Sequence, residues 1–146
     1  MTEAADGAIR RWFEALQRCV GAVDYEAARP LFVDDAIGFG TRAHLAVGRG
    51  ALEASQWAGI WPNIRDFRFN LDQLRSGADG DLGWGIVTWD STGFDERGAP
   101  YERPGRATVI FVRRDGAWRA LHTHFSLFPG TPPRTFDPLG HNGDRR

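Results

Sequence analysis

The stretch from Arg106 to Pro129, RATVIFVRRDGAWRALHTHFSLFP, limits what this chain can fold into more than any other. Two runs rich in β-branched and aromatic residues flank Asp115-Gly116, and runs split by Asp-Gly give the strongest short-range signal for a β-hairpin. A two-residue loop would set Arg113 beside Trp118 and Val112 beside Arg119, mixing charge with apolar side chains on both faces. A three-residue loop with Gly116 in the left-handed region sorts them. That register predicts Arg106 opposite His124 and Thr108 opposite His122. One face then carries Thr108, Ile110, Val112, Trp118, His122 and His124, and the other carries Val109, Phe111, Leu121, Thr123 and Phe125. A strand pair apolar on both faces must be covered twice. The histidine face is therefore expected beneath the chain's own helices, and the face of Val109, Phe111, Leu121, Thr123 and Phe125 against a second copy in a homodimer.

Three helical stretches precede the strands. Ile9, Trp12, Phe13, Leu16 and Val20 recur at three- and four-residue spacing, which describes an amphipathic helix. Asp24 can cap a shorter helix carrying Ala27, Ala28, Leu31 and Phe32, limited by Pro30 and ended by Asp34-Asp35, with a short strand over residues 36–41. Residues 48–58 form a third helix with Leu52 and Trp57 inward, closed by Gly59 and Pro62. Phe67, Phe69 and Leu71 then alternate with polar residues, residues 76–80 turn the chain, and a strand follows over 84–92. Residues 93–105 read as an irregular connection. Helices followed by antiparallel strands predict an α+β domain, a cone-shaped curved antiparallel sheet packed on three N-terminal helices with a cavity at its open end. The expected domain covers residues 1–129, and the Pro- and Gly-rich residues 130–146 are expected to be a loose tail dispensable for folding.

Composition excludes several functions. With 146 residues, 42% of them hydrophobic, one core can form. A net charge of -1 gives no electrostatic reason to expect nucleic acid or an anionic membrane as partner. No run reaches membrane-spanning length and the N-terminus lacks a signal-peptide core, so a cytoplasmic location is expected. Cys19 stands alone, which excludes an intrachain disulfide and a cysteine-rich metal site, and all 18 basic residues are Arg, which excludes Schiff-base chemistry and pyridoxal phosphate attachment. No cofactor is expected.

His122 and His124, at i and i+2 on one strand face with Arg106 and Thr108, suit proton transfer near neutral pH. Their competing reading is a pair of core histidines satisfied by backbone, Thr108 or Ser126. Asp90, raised in pKa by burial, would serve as a general acid; a solvent-facing strand end is the alternative. Trp57, Trp61 and Trp89 are candidates to line a pocket for a hydrophobic ligand, with Gln56 orienting a carbonyl. A metal would need a third ligand beside the histidines, and Asp90 and Glu102 have no motif spacing behind them, so none is expected.

The segments LFVDDA, IGFGTRA, GRGALEASQW and GRATVIFVRRDGAWRALHTHFS, in this order, resemble the SnoaL-like branch of the nuclear transport factor 2-like superfamily. The turn RRDGAW followed by HTHFS also resembles the association domain of calcium/calmodulin-dependent kinase II. The resemblance implies a cone-shaped α+β fold, a homodimer or larger ring, and a pocket between helices and sheet. It implies no single activity, because relatives include ketosteroid isomerases, polyketide cyclases, limonene epoxide hydrolases, dehydratases and non-catalytic oligomerisation domains. The isomerases' general base has Gly40 in its place here, and the kinase domain's arginine has Phe125. Two functions stand: a cofactor-independent acid-base enzyme (isomerase, cyclase, dehydratase or hydrolase type) acting on a small hydrophobic molecule, or a non-catalytic ligand-binding or oligomerisation module.

Overall fold

The computed structural model describes residues 2–137. Helix α1 (Thr2–Ala22) buries the stripe of Ile9, Trp12, Phe13, Leu16 and Val20. Trp12 anchors it: the indole Nε1–H donates to the carbonyl of Leu31 at 2.7 Å, and its ring meets Phe13, Phe32 and Phe111 edge-on. Helix α2 (Tyr25–Ala28, continued by a 3-10 turn Arg29–Leu31) begins where the Asp24 carboxylate accepts from the Ala27 amide at 3.0 Å. It stops sooner than its sequence pattern suggests. Pro30 sits in the 3-10 turn and Phe32 opens β1 (Phe32–Phe39), so Asp34 and Asp35 are exposed strand residues instead of a helix end. Helix α3 is a continuous run over residues 49–63 whose middle, Glu53–Trp57, widens into a π-helix.

Among the described residues, one curved, unclosed sheet follows the order β2-β1-β8-β7-β5-β3, with β4 and β6 also paired to β5. These are β2 (Ala46–Val47), β3 (Arg65–Phe69), β4 (Arg75–Asp79), β5 (Leu82–Phe94), β6 (Pro100–Glu102), β7 (Gly105–Arg114) and β8 (Ala117–Leu127). Pairing is antiparallel except between β1 and β8. The stretch expected to turn over residues 76–80 lies mostly in β4, because a 3-10 turn at Leu71–Gln73 breaks β3 from β4 and the reversal waits for Gly80 at φ +63°.

The β7–β8 hairpin corrects the expected register. Asp115 (φ 54°) and Gly116 (φ 76°) form a two-residue turn, pairing Arg114 with Ala117 and Arg113 with Trp118. A β-bulge between Ile110 and Phe111, which leaves Leu121 as the extra residue on β8, then restores the alternation. Beyond it Ile110 lies opposite His122, Thr108 opposite His124, and Arg106 opposite Ser126, not opposite His124 as the three-residue loop required.

The expected faces are also exchanged. Ala107, Val109, Phe111, Ala120 and Thr123 are buried against the helices, whereas Thr108, Ile110 and His124 are exposed on the outside. Val109, Phe111, Thr123 and Phe125 therefore belong to the molecule's own interior and cannot form an outer interface. The physical reason is plain once the register is known. Ala107, Val109, Phe111 and Phe125 make a more continuous apolar row than one interrupted by two imidazoles and Arg106.

The C-terminal segment is held more firmly than its composition suggests. Thr135 is buried, its hydroxyl donates to the Asn63 carbonyl at 2.7 Å, and it accepts from the Phe94 amide at 2.9 Å. The Phe136 amide donates to the Phe94 carbonyl at 2.9 Å, and the Tyr101 hydroxyl to the Arg134 carbonyl at 2.8 Å. Residues 134–136 thus tie α3 to the end of β5. The expectation for residues 138–146 lies outside the described residues.

Candidate functional site: a buried arginine in an aromatic pocket

Between α1, α3 and the concave face of the sheet lies a cavity of about 40 Å³. Helix α1 contributes Leu16 and Val20; α3 contributes Leu52, Gln56, Trp57, Ile60 and Trp61; the sheet contributes Phe67, Trp89, Thr123 and Phe125. The π-helical turn holds both Gln56 and Trp57, and such turns are concentrated at functional sites. Trp57 and Trp61 stack with centroids 5.0 Å apart and planes 12° from parallel, and Tyr25 stacks on Trp61 at 5.5 Å. Val20, Trp61, Ile64 and Phe67 also wall a surface cleft of about 420 Å³ lined by Val23, Tyr25, Arg65 and Asp66. Val23 (φ 51°) and Asp66 (φ 57°) both hold left-handed backbone there, which is costly for a β-branched residue in particular.

Polar groups line one corner of the cavity. The Gln56 carboxamide is committed to structure: its Oε1 accepts from the amides of Arg42 (2.8 Å) and Ala43 (2.9 Å), and its Nε2 donates to Thr41 Oγ1 (2.8 Å). This explains Gly40, since a Cβ at that position would come within 2.3 Å of Gln56 Oε1. Thr41 Oγ1 accepts a second bond from Arg103 Nη2 at 3.0 Å, which leaves its own hydroxyl proton to be donated.

Arg103 is the unusual member. It is 1% exposed, and its Nε–H has no hydrogen-bond partner. Among the described residues no carboxylate forms an ion pair with it. Burial pushes its pKa down to about 10, partly opposed by the Tyr101 hydroxyl, so it remains a cation at neutral pH. The guanidinium lies 5.6 Å from the Trp89 ring centroid, a cation–π contact. Trp89 is 1% exposed, and its Nε1–H is likewise buried without a partner. The Arg103 backbone is clamped to β5, its amide donating to the Ser91 carbonyl at 2.9 Å and its carbonyl accepting from Ser91 Oγ at 2.8 Å.

Of the residues expected to act together, Gln56, Trp57, Trp61 and Trp89 line the cavity and the others do not. His122 and His124 lie on the convex face of the sheet, each edge-on to Phe39, with centroids 5.3 and 5.2 Å away. His122 Nδ1 is 2.7 Å from the Ile37 carbonyl, which can only accept, so Nδ1 carries a proton. Arg106 Nε donates to Ser126 Oγ at 3.2 Å, and Thr108 is exposed beside it. Asp90, 42% exposed at its side chain, faces Arg68 across the β3–β5 pair at 3.9 Å. All five stand apart from the cavity because they share the outward parity of their strands. Arg103 has the opposite, inward parity. The inward alternation of Gly105, Ala107, Val109 and Phe111 reaches Arg103 when run back by one step of two.

The model of the SnoaL-like domain matches residues 7–130. The chain belongs to the SnoaL-like family. Its fold is that of the nuclear transport factor 2-like superfamily: an NTF2-like protein of unknown function from Pseudomonas putida KT2440 superposes with a TM-score of 0.73 at 26% identity, over 94% of this chain and 96% of that one. A ketosteroid isomerase-like protein from Erwinia carotovora atroseptica gives 0.71 at 15% identity, over 84% and 95%. The association domain of C. elegans CaMKII gives 0.67 at 15% identity, over 86% and 97%. At these last two identities the likeness is one of fold alone. No curated protein matches the sequence. Among the described residues, no helix of this SnoaL-like chain is long and apolar enough to cross a membrane, and no three His, Cys, Asp or Glu side chains are grouped to hold a metal.

Proposed function

We propose that this SnoaL-like domain binds a small, mainly apolar organic molecule between α1, α3 and the sheet. The observation that carries the reading is the cavity wall itself, where Trp57, Trp61 and Trp89 surround a space that shares one side with an outer cleft. Binding without catalysis is favoured over acid-base chemistry. The polar lining consists of Thr41, Gln56, Arg103 and Thr123, none of which exchanges protons readily near neutral pH, and Gln56 has its hydrogen bonds committed. We further propose a homodimer formed through the convex face of the sheet, a reading supported by the apolar side chains exposed there.

Titration of small aromatic probes, followed by the indole N–H resonances of the six tryptophans, tests the pocket. Trp57, Trp61 and Trp89 are expected to shift together, and Thr123→Leu, which fills the cavity, to abolish the effect. His122→Gln and His124→Gln are expected to leave probe affinity within about twofold, since neither lines the cavity. Probe shifts confined to Trp84 or Trp118, or affinity lost with the histidines, would place the site elsewhere.

A further inference from the structure

We infer that the ligand of this pocket is an organic monocarboxylate, its carboxylate seated on Arg103 and the Thr41 hydroxyl and its apolar body against the tryptophans. The inference rests on the pocket reading above and specifies its ligand.

The polar corner is made of donors. Arg103 offers an unpartnered Nε–H, and Thr41 Oγ1 already accepts two hydrogen bonds and has only its proton left to give. The two buried donors without partners among the described residues, on Arg103 and Trp89, both belong to side chains lining this one cavity. Orphaned buried donors are rare in folded proteins and costly, and an unpaired buried cation is costlier still. A neutral ligand with a carbonyl can accept from these donors but leaves the charge uncompensated. An anion accepts and compensates the charge.

Charge count and shape then narrow the class. Arg103 is the single cationic residue in the lining, so one negative charge is balanced and a phosphate dianion is not. A guanidinium edge presents two parallel N–H donors that match the two oxygens of a planar carboxylate. Apart from the neutral Thr41, Gln56 and Thr123 the remaining lining is aliphatic and aromatic, which disfavours a second charged group and favours an apolar body. A cavity of about 40 Å³ accommodates on the order of three water-sized groups, enough for a carboxylate and little more. A longer body would have to pass between Val20, Trp61, Ile64 and Phe67 toward the outer cleft, which shares those four residues.

The test is calorimetric and thermal-shift titration of the whole chain with acetate, butyrate and benzoate, each set against its neutral amide, with chloride and inorganic phosphate as further arms. Carboxylates are expected to bind at least tenfold more tightly than the matching amides, and more tightly than chloride or phosphate, with affinity falling as each acid is protonated at low pH. Arg103→Met is expected to remove that preference, so that each acid binds no more tightly than its amide. Thr41→Val, which keeps the cation, is expected to weaken carboxylates severalfold and provides a second reading should Arg103→Met not fold. Amides binding as well as acids, or chloride or phosphate binding as well as carboxylates, would overturn the carboxylate assignment while leaving the pocket in place. If no probe, charged or neutral, moved the pocket tryptophans, both the assignment and the pocket reading would fall.

Discussion

At the scale of single residues, Arg103 and Gly40 carry the most information. A cation held at 1% exposure without a carboxylate beside it destabilises the ligand-free fold, because burial penalises its charged form. Arg103→Met, which keeps the length and removes the charge, is therefore expected to leave the melting temperature of the ligand-free protein unchanged or raised. A structural arginine would show the opposite, a drop of several degrees. The pH dependence has a definite sign. The folded-state pKa of about 10 lies below the ordinary guanidinium value, so above pH 10 the unfolded chain holds more protons and stability rises with pH. The stability advantage of Arg103→Met should be full below pH 10 and shrink as pH climbs above it. Gly40 is required by packing: Gly40→Ala is expected to cost about 1–3 kcal/mol by denaturant unfolding, because Gln56 cannot retreat without giving up its hydrogen bonds. In a Gln56→Ala background the same change should cost little, and additive costs in that double-mutant cycle would refute the contact as the cause. Gly40 was legible as the absence of an isomerase base. Its partner was not, since only the folded chain brings residue 56 onto residue 40.

At the scale of elements, what could be read depended on whether the signal was local. The stripe on α1 and the Asp24 cap are written in neighbouring residues, and the structure contains both. Asp115-Gly116 likewise marks its turn, but the turn adds two residues where the sorting of side chains called for three. The chain reaches the same parity by inserting Leu121 as a bulge, and no local pattern announces that. β2 and β6 are two and three residues long and exist through pairing with β1 and β5, so composition alone makes them loops. The contacts of Thr135 are likewise not written in local composition. Proline and glycine describe how little a segment can bury, but one threonine can still join two elements through a donor and an acceptor. Thr135→Val, nearly the same shape without the hydroxyl, is expected to lower stability by about 1–3 kcal/mol by leaving partly buried backbone groups unpaired. Ending the chain before Arg134 should lower the melting temperature by at least as much; unchanged melting in both variants would show that the segment contributes nothing.

At the scale of the whole molecule, helices before strands sufficed to predict the layers, but not which side of the sheet the helices cover. Both faces carry apolar side chains, and the inner one is decided by an unbroken row from Ala107 to Phe111 continued by Thr123 and Phe125. The outer face is left with Ile37 at 41%, Trp84 at 42%, Ile86 at 48% and Ile110 at 39% exposure, on adjoining strands β1, β8, β7 and β5 with His122 and His124 between them. Trp84 lies directly opposite Ile110 and Ile86 opposite Thr108, so the patch is continuous across the sheet. A contiguous apolar patch of this kind marks an association surface, and a stable dimer needs about 800 Å² buried on each copy. A two-fold pairing through this face would place the same residues against one another. Reversing the character of its centre should separate the copies without touching the pocket. Ile86→Lys combined with Ile110→Lys is expected to shift sedimentation from dimer to monomer at micromolar concentration, while circular dichroism and binding of pocket probes stay as in the parent chain. A parent chain that sediments as a monomer would end the proposal at once, and a doubly substituted chain that still dimerises would move the interface to another face.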